Sequence, residues 1–286
     1  MRNIVSGTTH VHTFNLIFRI WLALAAASTL PLCVPVSWAT DVVIPLETGT
    51  PNLIGFGIGG YPDYLGSNDT AVGAAPVARI GLGGERFMQV FGTDVQVNLL
   101  NHPNWRLGPE ILVRLGRKDV DDPVVSQVSE IDAAFDVGLT GGYTWIDSQN
   151  PLKRIGISAW GLWDASGVHN GSTFGARVFG MVPVARPVTV AAGAAASWGS
   201  KDYMDTYFGV SPEDSLKSGL PVYAAGSGVR DVRGWFLAMF HLSRTWHLGA
   251  AVMYSRLLGD ASDSPLVSER GSPNQWVYGV GLMYGW

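Results

Sequence analysis

The side chains able to do chemistry are few and scattered. Beyond residue 39 the histidines are His102, His169, His241 and His247, in segments that read as turn, loop and strand. Hydrolytic chemistry would need one of them as a base beside a nucleophile and an orienting group. Ser197, Ser243 and Ser255 are available, yet no spacing ties them to a histidine and an aspartate. No catalytic residue is therefore assigned, and the histidines are expected as hydrogen-bonded fillers on inward strand faces. Asp260, Asp263 and Glu269 share one polar segment that could hold a cation. Calcium needs more oxygen ligands in a defined turn, so a solvated acidic loop is expected there and no metal is assigned. Gly55, Gly57 and Gly60 match G-x-G-x-x-G, but Tyr61-Pro62-Asp63-Tyr64 follows where a dinucleotide site needs a helix. No cofactor is expected.

The one patterned set of charges is Arg106, Glu110, Arg114, Asp132 and Asp136. The first three alternate with Leu107, Pro109, Ile111 and Val113, and the last two with Ile131, Ala133, Phe135 and Val137. A hairpin around residues 117–129 that places Gly116 opposite Glu130 sets Arg114 against Asp132 and Glu110 against Asp136. The expectation is a charge ladder lining an interior. Its structural role is to fill and stiffen that interior; selecting permeating ions is the sharper alternative.

Charges confined to one face need strands, because side chains alternate with period two only there. The same alternation recurs from Leu53 to Tyr61, around 74–82, and in segments near 155–163, 174–182, 188–198, 233–242 and 246–254. In the last segment Trp276, Tyr278, Val280, Leu282, Tyr284 and Trp286 share one face, with Val277, Gly279, Gly281, Met283 and Gly285 on the other. Aromatic residues at both ends of an apolar band about ten residues long match a tilted strand crossing a bilayer. Residues 86–100 are one kinked strand or two short ones meeting at Gly92-Thr93-Asp94. Single-chain bacterial barrels have even strand numbers, so the count is ten or twelve. The predicted fold is all-β, an antiparallel transmembrane β-barrel of 10–12 strands, with twelve preferred, over residues 53–286. Short turns at 183–187 and 243–245 alternate with long polar loops at 199–228 and 259–274. No helical period stands out.

Composition points the same way. The chain is 47% apolar and only 15% charged, with 36 glycines and 11 tryptophans, which suits a closed sheet facing lipid better than a soluble domain. Arg2 and Arg19 precede the apolar run Ile20 to Leu32, and Ser37-Trp38-Ala39 offers small residues before a cut. Residues 1–39 are expected as a cleaved signal peptide and 40–52 as a periplasmic lead-in. The only cysteine, Cys33, falls inside the signal, leaving no disulfide or thiolate in the mature chain. A net charge of −4 without a basic cluster gives no reason to expect nucleic acid. An exported barrel belongs in the outer membrane of a Gram-negative cell, with its lipid as first partner.

Three segments carry a family resemblance: Tyr61-Pro62-Asp63-Tyr64-Leu65-Gly66-Ser67; Tyr203-Met204-Asp205-Thr206-Tyr207-Phe208-Gly209-Val210-Ser211 with Ser218-Gly219-Leu220; and Leu257-Leu258-Gly259-Asp260-Ala261-Ser262-Asp263-Ser264-Pro265-Leu266-Val267. In these the chain resembles the MipA/OmpV family of outer-membrane proteins, with order and spacing in agreement over essentially the whole mature chain. It departs in ending on Trp286, where these barrels usually end in Phe. The resemblance implies a non-enzymatic barrel scaffold in cell-envelope maintenance. MltA-interacting members are described as bridging a lytic transglycosylase and a penicillin-binding protein. OmpV-like members are linked to osmotic response and adhesion, and a narrow channel is the further alternative. The resemblance also implies that Tyr284 and Trp286 form an assembly signal for the barrel assembly machinery. No binding residue is carried over.

Overall fold

The computed structural model describes residues 52–286. The expected signal peptide and all of the lead-in but Asn52 lie outside the described residues. Twelve strands follow: β1 (Leu53–Pro62), β2 (Thr70–Gly81), β3 (Phe87–Phe91), β4 (Asp94–Asn98), β5 (Trp105–Arg114), β6 (Ala134–Ile146), β7 (Arg154–Asp164), β8 (Ser172–Ala185), β9 (Val188–Gly199), β10 (Gly228–His241), β11 (Trp246–Leu257) and β12 (Asn274–Gly285). Each pairs with its chain neighbours, and β12 closes on β1 to form one antiparallel barrel. The region of uncertain count is two strands: β3 and β4 meet at Gly92, whose φ of 58° permits the tight reversal. That makes twelve.

Closure follows from the residues themselves. Ile54, Phe56 and Ile58 of β1 and Trp276, Tyr278, Val280, Leu282 and Tyr284 of β12 all stand exposed on the outer face. So large an apolar belt is unstable in water and stable in lipid, provided every backbone group pairs within the wall. Aromatic girdles mark both edges of the belt. Tyr254 and Trp276 meet at 4.9 Å near the long loops. At the opposite, short-turn end Trp105 packs edge-on to Tyr143 at 4.9 Å, and Trp246 to Tyr284 at 5.3 Å.

The long loops contain helices, which the sequence pattern did not announce. Between β9 and β10 lie α1 (Lys201–Phe208) and α2 (Pro212–Ser218), and between β11 and β12 lie α3 (Asp260–Asp263) and α4 (Pro265–Ser268). Local capping explains them better than periodicity, since the longest, α1, has only eight residues. The Ser211 hydroxyl accepts from the Asp214 N–H at 3.1 Å, Pro212 fills the first turn, and Gly219 ends α2 in the left-handed region at φ 78°.

Two cores result. Below the middle of the barrel the bore holds an apolar cluster, with residues such as Phe179, Met181, Trp235, Met239, Met253 and Met283, beside buried polar side chains including Gln89, Asn98, Thr189 and His247. At the loop end Tyr203, Met204, Phe208, Ala261 and Val267 cluster beneath the loops, beside a second group containing Tyr64, Val125 and Leu266.

Candidate functional site

Between these cores lies a layer of buried charge, and the loops close over it. Helix α1 turns Tyr203, Met204, Tyr207 and Phe208 into the protein. Its neighbours lock it there. Arg117 donates to the Tyr207 carbonyl at 3.3 Å, and the Ser264 hydroxyl donates to the Phe208 carbonyl at 2.6 Å. Asp214 accepts from both the backbone and the hydroxyl of Ser129, at 2.8 and 2.7 Å. Arg270 pairs with Asp122 at 2.7 Å, and the Tyr64 hydroxyl reaches the Leu266 carbonyl. Burial pushes the Asp214 carboxyl up, but hydrogen bonds from Ser129 and Ser211 outweigh it and hold the group below the usual carboxylate range. At Asp122 burial is likewise outweighed, here by Arg270 and the Val125 and Val124 N–H groups. Four loops are thus tied into one cap.

Under the cap the ions pair. Arg114 Nε lies 2.6 Å from Asp136 Oδ2, and its Nη2 donates to Thr173 Oγ1 at 2.8 Å. Asp136 Oδ1 is 2.9 Å from His169 Nε2. Because His169 Nδ1 accepts the Gly171 N–H at 3.1 Å, Nε2 carries the proton donated to Asp136. Across the bore Asp231 meets Arg230 at 2.5 Å, Arg233 at 2.9 Å and the Ser197 hydroxyl at 2.6 Å. Arg177 reaches Glu110 at 3.4 Å, Thr140 at 3.1 Å and Ser158 at 2.8 Å. Tyr203 of the cap stands between the halves, accepting from Arg230 at 2.5 Å and from Arg114 at 3.5 Å.

The expected ladder is corrected in its register and membership. Arg114 pairs with Ala134, Leu112 with Asp136 and Glu110 with Gly138, two residues away from the expected alignment. A two-residue slip keeps every side chain on its face, so the alternation could not have detected it. The physical reason is charge: the expected register sets Glu110 directly against Asp136, a destabilising like-charge pair. At the loop end Gly116 has its Cα against the Ile131 carbonyl, leaving no space for a side chain. Of the five residues, Glu110, Arg114 and Asp136 lie buried inside. Arg106 sits at the short-turn end, donating to the His102 and Pro103 carbonyls at 2.7 and 2.9 Å. Asp132 lies outside the bore in solvent, paired with Lys118 at 2.5 Å.

Sequence reading missed Arg177, Arg230, Asp231, Arg233 and His169 as members. For Arg230 the cause is a bulge between Val229 and Asp231 in the β9–β10 ladder, which buries two consecutive charged residues where alternation allows one. His169 enters from the β7–β8 loop, which no period describes. Asp136, Asp164 and His169 group closely enough to suggest a metal, but protein donors already occupy them. Asp164 takes the N–H groups of Ser166, Gly167, His169 and Asn170. Among the described residues Asp260, Asp263 and Glu269 form no such group, and Asp260 accepts the Gly226 N–H at 2.6 Å. Of the serines, Ser197 donates to Asp231, and Ser243 accepts the Trp246 N–H.

The model of the family "MltA-interacting protein MipA" matches residues 54–286. The chain belongs to this family. No curated protein is similar to it at a significant level. Among solved structures, the COG4313 outer membrane channel from Pseudomonas putida F1 aligns at 10% identity and a TM-score of 0.48, over 86% of this chain and 100% of that one. OmpT of Vibrio cholerae aligns at 10% identity and 0.36, over 84% and 99%. The translocator domain of the autotransporter NalP from Neisseria meningitidis gives 10% and 0.39, over 96% of each.

The terminal aromatics of this MipA-family barrel take part in its closure. Tyr284 pairs with Ile54 on one side and Trp246 on the other, and stacks on Trp286 at 6.2 Å. Nearby, inside the bore, His241 Nδ1 and His247 Nδ1 share a hydrogen bond at 2.9 Å, and His241 Nε2 meets the Thr189 hydroxyl at 2.9 Å.

Proposed function

We propose that this MipA-family chain is a non-enzymatic outer-membrane scaffold that holds murein-degrading and murein-synthesising enzymes together. The observation that carries this is the filled bore. Cap, charged layer and apolar cluster follow one another along it, and cavities within it include one of about 60 Å³ beside Leu237 and Met253, one of about 50 Å³ beside Arg106 and Arg177 and one of about 10 Å³ beside Glu110 and Trp235. Such spaces suit one or a few waters, not a permeation path, so the working surfaces are the loops and turns. The family's printed name supports an MltA-type lytic transglycosylase as one partner, and a penicillin-binding protein completes the bridge. Short turns belong on the periplasmic side and long loops outside, so the enzymes meet the short-turn end.

The channel alternative has a direct test. In planar bilayers the purified barrel is expected to stay silent, whereas steady ohmic conductance would favour the channel. Capture of a lytic transglycosylase after mild crosslinking tests the scaffold itself.

A further inference from the structure

The two ends of the barrel differ in charge. Aspartates crowd the long-loop end, as in Asp119, Asp121, Asp122 and Asp260, Asp263. At the short-turn end four of the five turns expose a cation, Arg86, Lys153, Arg186 and Arg244, and the fifth, residues 99–104, has none. Arg79, Arg106 and Arg154 add positive charge just inside, and Glu85 and Asp147 are the acidic side chains there among the described residues.

Their neighbours set the level at which the exposed cations sit. Arg244 lies two residues from Leu242 and two from Trp246, which are 62% and 45% exposed on the lipid face. Arg186 follows Val184, 60% exposed, at the same spacing, and Lys153 precedes Ile155, 58% exposed. Arg86 shares its turn with exposed Leu82, whose N–H donates to the Arg86 carbonyl at 2.8 Å. Each cation therefore continues a lipid-facing row just past the aromatic girdle, where headgroups lie. A soluble partner or a polymer beneath the barrel would not call for apolar residues beside every cation; a phospholipid leaflet does.

We infer that the four turn cations form a belt that binds anionic phospholipid headgroups, through their phosphodiesters, in the leaflet at the short-turn end. The inference rests on the transmembrane placement and is independent of any murein partner. The belt fixes the barrel's depth and gathers anionic lipid around the short-turn end.

The test uses the full mature barrel in nanodiscs of phosphatidylcholine with about one lipid in four phosphatidylglycerol, released into native mass spectrometry. Wild type is expected to retain phosphatidylglycerol several-fold over its bulk ratio, less so in high salt, since exposed charges are screened. The combined variant Arg86→Gln, Lys153→Gln, Arg186→Gln, Arg244→Gln is expected to retain the lipids in bulk ratio while keeping its heat-modifiable fold. If that variant does not fold, Arg244→Gln alone should show a partial loss. Bulk-ratio retention by wild type, or undiminished enrichment in the folded variant, would overturn the belt. So would sedimentation with purified murein sacculi that the four cations control while lipid enrichment does not depend on them.

Discussion

The phenol of Tyr203, carried on α1 of the longest loop, accepts a hydrogen bond from Arg230 Nη1 at 2.5 Å inside the barrel wall. The Arg230 and Arg114 guanidiniums also stand over its ring, at 5.4 and 4.9 Å from the centroid. One residue thereby joins the cap to both halves of the buried charge layer. Ring and hydroxyl contribute separately: the ring through its π face, the hydroxyl as a neutral acceptor between two cations.

Tyr203→Phe keeps the ring and removes the acceptor. It is expected to destabilise the barrel by about 1–3 kcal/mol, the cost of a buried donor losing its partner. Urea unfolding in detergent, followed by tryptophan fluorescence, measures it. A loss near zero would mean that the hydroxyl does not hold the cap.

Asp136 and Asp132 separate buried from exposed pairing within one hairpin. Asp136→Asn weakens a fully buried ion pair with Arg114, so a loss of about 3–5 kcal/mol is expected. Asp132→Asn breaks a pair to Lys118 in which the aspartate is 72% exposed, and little or no loss should follow, because solvent screens the pair. The same unfolding assay compares them, and equal losses would contradict the placement of the two residues.

What could be read from the chain divides along a physical line. Strand existence and facing were legible because period two is a local property. Leu53 to Tyr61 and Trp276 to Trp286 declare their faces without knowledge of any partner. Register is not local: slipping Arg114 from Asp132 to Ala134 leaves both faces intact and alters only which charges meet. Arg230 and Asp231 were hidden by a bulge, and His169 by its loop. The helices were written in caps, Ser200 before α1 and Ser211-Pro212 before α2, within runs too short for a helical period. Family resemblance marked the segments that form the cap without saying that they fold over the bore.

Acid should loosen the cap before the wall. Asp122 and Asp214 are both held below the ordinary carboxylate range in the folded protein. A depressed folded value means stabilisation fully present above the unfolded value, about 4, and lost as pH falls through the folded one. Hydrogen exchange at residues 120–130 and 211–219 is therefore expected to speed up below about pH 4 while strand amides stay protected. A uniform loss across cap and strands would contradict this.

We propose that the last strand also carries the assembly signal, motivated by the exposed, stacked Tyr284 and Trp286 at the seam with β1. Deleting Trp286 should impair insertion in cells, read as loss of the heat-modifiable, protease-resistant band. An unchanged yield of that band would reject the proposal.

The scaffold itself is tested most directly by mild crosslinking in cells, extraction in detergent, and purification of the tagged full-length barrel with identification of what is attached. A lytic transglycosylase is expected to co-purify, together with a penicillin-binding protein, and to be absent from an unrelated barrel treated in the same way. Repeated recovery of the folded barrel without any murein enzyme would contradict the account.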